Sequence, residues 1–333
     1  DLAADAALLL QAAGKQAGLF YLMPGANAFA AGLLSEDTAS FETLVEDIEN
    51  DSIRGIILVE SNPLREFPDR QRLEKALARL EVLVVMDYLD SEVAQKAHIF
   101  LPTTTLYESG GVYMNQEARI QVAQPAYRGG TSIGLIGGGD HPPRVYGTGI
   151  PGNEPAVAWQ LLSYLIEGGQ QQTSKDLRAG IWNWLAETES GFKDLGAIDE
   201  IPDEGVRFYR AQDFIERFSS EPPGGDSVRD DYLELIAVER TFGTEALAAL
   251  SDCLTELAGA PAVLMGSGDA AELNLAEGDV VSIELDGGAI EAKLQVTDHM
   301  AAGTLVIPRR QDLDWQKMGT GQTWVRKDRV RKV

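Results

Sequence analysis

Between Leu101 and Gln121 the chain reads LPTTTLYESGGVYMNQEARIQ. Glu108, Asn115, Glu117, Arg119 and Gln121 crowd into this stretch directly behind an apolar run that ends in Leu-Pro. Carboxylates, amides and a guanidinium at this density can hydrogen-bond a ligand. Open α/β sheets bind ligands just beyond the carboxyl ends of their strands. The same residues have a structural use, because an arginine paired bidentately with Glu108 or Glu117 would fix the loop. On residue types alone, loop fixation is the favoured reading.

Other candidates are weaker. Gly147-Thr-Gly149-Ile-Pro-Gly152 spells the dinucleotide fingerprint G-x-G-x-x-G. That fingerprint needs a strand just before it, and GGGDHPPRVY has loop composition. Pro151 also removes an N–H that a phosphate would want. His98, His141 and His299 stand far apart, with no metal-ligand spacing, and are expected to be solvated or locally bonded. The acidic run EDIEND at 46–51 reads as a solvated helix end. No Gly-x-Ser-x-Gly elbow offers a nucleophile. Cys253, the single cysteine, cannot pair within the chain or build an iron–sulfur cluster alone. It is expected to be a small buried thiol in a helix.

The elements that must position these residues alternate through the first 170 positions. Apolar runs at Leu19–Met23, Ile53–Glu60, Val82–Met86 and Ile99–Leu101 read as buried strands. Helical spacing is expected at Asp5–Ala13, Phe41–Ile48, Asp69–Leu80 and Ser91–Ala97. Such alternation means a parallel sheet covered on both faces, a doubly wound, Rossmann-like α/β domain. The glycine- and proline-rich run 128–155 reads as a long surface loop, followed by a helix at Ala156–Glu167. Residues 171–227 read as a connecting helical region, with helical pieces around Trp182 and Trp184, another at Ala211–Phe218 and a linker near 219–227. From 228 to 333 the character changes. Tyr232–Glu239, the hairpin Val280–Leu285 with Ala289–Val296, and Thr304–Pro308 read as strands, with a helix at Thr244–Ala258. Short strands with Gly-Asp turns suggest a small closed β-barrel.

Composition limits the partners. Fifty-two acidic against 28 basic residues give a formal charge of −24. Such a surface repels nucleic acid and anionic lipid. The apolar fraction of 44% is ordinary for a soluble globular protein. No window has the roughly 20 apolar residues of a membrane span. No signal peptide is visible and no initiator Met opens the chain, which suggests a fragment or processed product of a longer protein.

The spacing of Glu108, Gly111, Asn115, Glu117, Arg119 and Gln121 resembles E-x-x-G-x-x-x-N-x-E-G-R-x-Q, a signature of the molybdopterin oxidoreductase superfamily. IILVESNP, ending at Asn62-Pro63, is similar to that family's strand ending in Asn-Pro. Asp87, Glu92, Ala94 and Ala97 match its D-x-x-x-T-E-T-A-x-x-A-D segment. NLAEGDVV at 274–281 and GTLVIP at 303–308 resemble phrases of its barrel. Ala118 departs from the pattern, standing where the family has Gly; so do Val93 for Thr and His98 for Asp. The run FGTEALAALSDCL most resembles the large iron–sulfur subunit, of the G type, of respiratory NADH-quinone oxidoreductase (complex I). The resemblance implies an α/β domain over 1–170 and a double-psi-like, dinucleotide-binding-type barrel over 228–333. It implies a non-catalytic region with no cofactor of its own, and iron–sulfur clusters elsewhere in a longer subunit. Its partners would be other hydrophilic-arm subunits on the cytoplasmic side of the inner membrane. The alternative is the C-terminal half of a molybdenum or tungsten enzyme such as formate dehydrogenase. There Asn62, Asp87, Glu92, Glu108, Asn115, Arg119 and Gln121 would hold a molybdopterin guanine dinucleotide.

Overall fold

A computed structural model describes residues 2–23, 25–35, 40–126, 156–166, 168, 174–188, 192–195, 201–208, 230–319 and 324–333. The glycine-rich run, its G-x-G-x-x-G, His141, the Ala211–Phe218 helix and the expected linker lie outside them.

The first part opens with α1 (Leu2–Ala12), α2 (Ala28–Leu34) and α3 (Phe41–Glu49). Strand β1 (Gly55–Val59) leads through α4 (Pro63–Glu66) and α5 (Arg70–Leu77) to β2 (Val82–Asp87). Helix α6 (Glu92–Gln95) then leads to β3 (Ile99–Pro102). The three strands pair in parallel in the order β1-β2-β3. Local signals set the helix starts. Ser40 accepts from the N–H of Thr43, Asp69 from that of Arg72, and Ser91 from that of Ala94. One sheet face, with Ile56, Leu58, Leu83 and Val85, packs against Val45 and Ile48 of α3, Leu73 and Leu77 of α5, and Val93 of α6. The other face leaves Ile57 and Ile99 about half exposed. Leu19–Met23 is not the expected buried strand. It forms no ladder, and Leu22 is 90% exposed. An apolar run becomes a strand only beside another backbone, and no described strand pairs with it.

Helix α7 (Leu106–Ser109) leads into a hairpin of β4 (Gly111–Met114) and β5 (Arg119–Ala123). Residues expected as a connector build onto this hairpin. Helix α8 (Ala158–Ile166) is followed by α9 (Ser174–Thr188), and β6 (Val206–Arg207) extends the hairpin antiparallel to β5. Met114, Ala118 and Ile120 form a small core with Trp182, Leu185, Phe192 and Leu195.

The last part carries β7 (Tyr232–Val238), α10 (Asp252–Ala258), β8 (Ala262–Gly266), α11 (Ser267–Glu272), β9 (Val280–Leu285), β10 (Gly288–Thr297), β11 (Thr304–Pro308), β12 (Trp324–Arg326) and β13 (Val330–Lys332). The strands form one sheet in the order β12-β7-β11-β8-β10-β9-β13. Its two edge strands are consecutive in the chain. A flat sheet of seven would hold its edges about 29 Å apart at ~4.8 Å per step. The link from Arg326 to Val330 reaches at most about 15 Å. The sheet must therefore curl until it is nearly closed. Along β10 every second residue, Ile290, Ala292 and Leu294, points into the core with Leu233, Met265, Val281 and Leu305. The helix expected over Thr244–Ala258 is shorter. Ser251 is extended, so a 3-10 turn (Ala248–Leu250) precedes α10. Cys253 on α10 is exposed, not buried as expected, because no residue of this short helix is buried.

Arg310, 8% exposed, fastens α10 to the barrel. Its Nε and Nη2 donate to the Asp312 carboxylate at 2.9 and 2.7 Å, and its Nη1 to the carbonyls of Ala258 and Gly259 at 3.0 and 3.1 Å. Arg310→Met is expected to cost about 1–2 kcal/mol in urea unfolding of the full chain, because a buried guanidinium gives up its bonds to Asp312 and to two part-exposed carbonyls. Arg326→Met, which breaks the exposed pair with Asp328, is expected to leave the urea midpoint at the parent value.

Candidate functional site

The carboxyl ends of β1, β2 and β3 carry a compact polar group. Glu60 follows β1 in a left-handed conformation, φ +48°, and its N–H donates to the Met86 carbonyl at 2.7 Å. Few residues other than glycine adopt that conformation, and such strain gathers at functional positions. Asp87 ends β2 at 4% exposure, and its Oδ1 accepts from the N–H of Leu89 at 3.0 Å. Thr103, just past β3, donates its N–H to the Asp87 carbonyl at 3.0 Å. Among the described residues, the buried side-chain oxygens without a hydrogen-bond partner are Asn62 Oδ1, Thr103 Oγ1, Thr104 Oγ1 and Ser163 Oγ. Three of these four lie at this one sheet edge. A buried polar atom with no partner is rare enough to require an explanation, and an unseen ligand or water is one.

The edge is also desolvated. Burial pushes the Asp87 carboxyl above the ordinary aspartate range, against the backbone N–H groups of Leu89 and Tyr88. Burial likewise raises Glu60. The Thr103 hydroxyl nearby opposes that rise without a properly directed hydrogen bond, and the Asp87 charge adds to it. The Tyr88 phenol is raised by burial and by the charges of Asp87, Glu60 and Glu245. Glu245 comes from the last part of the chain, so the two parts meet here. Gln316 Nε2 donates to the carbonyls of Leu64 and Arg65 at 2.6 and 3.1 Å. Arg65 donates in turn to the Thr244 carbonyl. Beside this junction lies a cavity of about 200 Å³ lined by Arg65, Gly243, Leu254, Thr255, Ala258 and Arg310.

Of the seven expected site residues, only Asn62 and Asp87 reach this edge. Glu92 pairs with Arg70 on the helical side. Glu108 closes a capping box at α7, accepting from the N–H and hydroxyl of Thr105, both at 2.9 Å. Asn115 Oδ1 accepts from the N–H groups of Glu117 and Arg119 at 3.0 and 3.1 Å and so holds the β4–β5 turn. Arg119 does not bond Glu108 or Glu117. It donates to the carbonyl of Glu204 at 3.1 Å, fixing the loop by a different partner from the one expected. Gln121 pairs through its backbone with Tyr113 on β4, and its side chain packs over Gly205. A Cβ at Gly205 would sit 2.5 Å from Gln121 Cγ and from the Ile120 carbonyl oxygen, with φ at +77°. Of the histidines, His98 is locally bonded as expected, its Nδ1 accepting from the N–H of Leu83 at 2.9 Å. Glu60, Arg65, Tyr88, Thr103 and Thr104 join the site without having stood out in the sequence. The available signal was position, since each stands within a few residues of the end of a parallel strand.

Residues 5–129 match the family model described as molybdopterin oxidoreductase, and residues 236–322 match the molydopterin dinucleotide binding domain. The chain thus carries a molybdopterin oxidoreductase domain and a molydopterin dinucleotide binding domain, each over part of its length. It is 23% identical to the second G-type subunit of the NADH-quinone oxidoreductase of Rhizobium meliloti, over 84% of this chain and 30% of that protein. It is 24% identical to the G-type subunit of the NADH-quinone oxidoreductase of Shewanella oneidensis, over 92% of this chain and 41% of that protein. It is 26% identical to the alpha subunit of the F420-dependent formate dehydrogenase of Methanocaldococcus jannaschii, over 79% and 39%. The chain therefore spans well under half the length of these relatives. Acetylene hydratase from Pelobacter acetylenicus superposes with a TM-score of 0.52 at 15% identity, covering 85% of this chain and 45% of that one, which shows the fold.

The family implies a pterin dinucleotide cofactor, and the sheet edge can be tested for it. Asn62 Oδ1 and the two threonine hydroxyls offer unspent acceptors beside Asp87, which suits an uncharged ring rich in N–H donors. Phosphates do not suit the same edge. Glu60, Asp87 and Glu245 gather there around Tyr88, while Arg65 already bonds a protein acceptor. The edge thus fits the ring portions of such a cofactor and not its charged bridge.

The raised Asp87 carboxyl has a consequence for stability. A carboxyl raised in the folded chain holds its proton more tightly there than in the unfolded chain. Its contribution is full below the ordinary aspartate range and is lost as pH rises through the raised value. Asp87→Asn keeps the acceptor for Leu89 and removes the buried charge. Denaturant unfolding is expected to show the variant more stable than the parent at pH 7, with the difference vanishing toward pH 3.

Proposed function

We propose that this chain is a non-catalytic scaffold region of the large iron–sulfur subunit of an NADH-quinone oxidoreductase. The observation that supports this best is where the signature side chains spend their hydrogen bonds. Glu108, Asn115 and Arg119 all close on the chain's own residues, and Ala118 between them is fully buried in a core. A motif used in this way builds a rigid hairpin rather than a binding surface. The NADH-quinone oxidoreductase relatives, aligned over most of the chain, support the same reading. On it, the three-stranded sheet belongs to a doubly wound domain and the curled sheet is a double-psi-like barrel. Electrons pass through clusters held elsewhere in a longer subunit. This region positions that subunit among its hydrophilic-arm neighbours on the cytoplasmic side of the membrane. Among the described residues, no helix is long and apolar enough to cross a membrane.

A second reading rests on the sheet edge. The unspent oxygens of Asn62, Thr103 and Thr104 beside a desolvated Asp87 suit the ring portion of a molybdopterin guanine dinucleotide. The chain would then be the cofactor-binding half of a molybdenum or tungsten enzyme like formate dehydrogenase. The cofactor would supply the redox chemistry, and these residues would orient its ring by hydrogen bonds.

Elemental analysis and pterin fluorescence on the full-length subunit within its native complex separate the two. The scaffold reading expects iron without molybdenum, tungsten or pterin. One equivalent of metal-bound pterin per subunit would overturn it. In the same complex Asn115→Ala is expected to lower stability by about 1–2 kcal/mol, through two orphaned N–H groups, and to leave NADH oxidation per assembled complex unchanged.

A further inference from the structure

From Thr241 to Ala292 the chain holds ten carboxylates and no lysine, arginine or histidine. Several of these carboxylates find cations near the C-terminus. Glu272 pairs with Lys327, Asp279 with Lys332 and Glu284 with Arg331. Asp252 and Glu256 on α10 make no ion pair among the described residues. They stand four apart, so their like charges face the same side of the helix uncompensated.

Two leucines beside these unpaired carboxylates are bare as well. Leu250, in the turn that leads into α10, is 70% exposed, and Leu257 is 65% exposed. Cys253 lies four residues before Leu257 on the same helical face and is also exposed. On its other side α10 is held rather than packed. Arg310 bonds the carbonyls at its C-terminal end, while Leu254, Thr255 and Ala258 line the cavity of about 200 Å³. A seven-residue helix with no buried residue gains little from its own fold, and propensity alone does not hold so short a helix together.

We propose that α10 and the turn before it form a docking ridge for an amphipathic segment of another protein. The partner is apolar toward Leu250 and Leu257 and carries lysine or arginine toward Asp252 and Glu256. Charge selects this occupant. A second copy of the chain, itself at −24, would bring acid against acid along a segment with no cation to answer it. An anionic lipid surface is repelled for the same reason. The ridge is separate from the sheet edge, so the inference holds under either reading of that edge.

The only thiol lies inside the ridge and serves as the probe. A benzophenone maleimide on Cys253 of the full chain requires no substitution. The labelled chain is irradiated in extract of its source cells, and the attached peptide is sequenced. The expected peptide has apolar residues three and four apart, a net positive charge, and a yield that falls as salt is raised. Leu250→Gln with Leu257→Gln is expected to lower the yield at least about tenfold, as loss of two buried leucines requires. Asp252→Lys with Glu256→Lys is expected to lower it several-fold, while thermal unfolding of both variants stays at the parent value because all four side chains are exposed. An acidic peptide, a peptide of the chain itself, attachment to lipid, no attachment, or a yield indifferent to both variant pairs would each overturn the proposal.

Discussion

The carbonyls of Leu64 and Arg65, at the end of a one-turn helix, meet a single amide from the barrel, that of Gln316. This junction sets the environment of the sheet edge. It presses the carboxyl ends of β1 and β2 toward residues 240–245, and Arg65 completes it by reaching the Thr244 carbonyl. Thr244 is itself buried, its hydroxyl bonded both ways to the backbone of Arg240. The acceptors here are backbone carbonyls, which are held rigidly and answer their donors without taking an anion out of water. The desolvation of Glu60, Asp87 and Tyr88 accompanies this closure, and Glu245 on the barrel side adds its charge to the Tyr88 phenol.

Within the signature between Glu108 and Gln121, the side chains of Glu108, Asn115 and Arg119 make structural hydrogen bonds. The turn between β4 and β5 needs its N–H groups answered, and Asn115 answers two of them. It also needs one residue at positive φ, and Ala118 supplies it at +55°. Glycine would meet that demand without strain. Alanine adds a methyl group that is wholly buried against Trp182, Leu185 and Phe192. Burial of a methyl is worth roughly 0.8 kcal/mol, which offsets much of the roughly 1–2 kcal/mol that the left-handed conformation costs. The exchange of a family glycine for alanine is therefore offset in large part, which explains how the hairpin keeps its shape without the usual residue.

Periodicity made much of this fold legible. The spacing of Leu73 and Leu77, the alternation of Ile290, Ala292 and Leu294, and the caps at Ser40, Asp69 and Ser91 are all local signals, and the elements form where those signals stand. What failed depends on partners far along the chain. Leu19–Met23 has strand composition, but composition does not provide a neighbouring backbone. The Thr244–Ala258 helix breaks where Ser251 turns extended, so that its C-terminal carbonyls come under Arg310, a residue some fifty positions away. Arg119 was legible as a loop clamp, while its acceptor, the Glu204 carbonyl, lies beyond any local pattern. The resemblance carried Asn62 and Asp87 to the site, yet Glu60, Thr103 and Thr104 were visible only as the first polar residues past each strand.

Two halves of the same motif inheritance have thus separated physically. The hairpin residues have their hydrogen bonds satisfied and give rigidity. The sheet-edge residues do not, and a buried unpartnered oxygen is costly to keep, at about 1–3 kcal/mol each. A scaffold with no ligand gains nothing from three such oxygens side by side, and water is the least demanding group that could satisfy them. The acid cluster narrows the alternatives further. Neutral N–H donors are welcome beside Asp87 and Glu60, whereas a phosphate would have to enter a region where burial already disfavours the charges present. The edge therefore retains the hydrogen-bonding character of a ring site, while its electrostatics oppose the charged bridge that a dinucleotide must place close by.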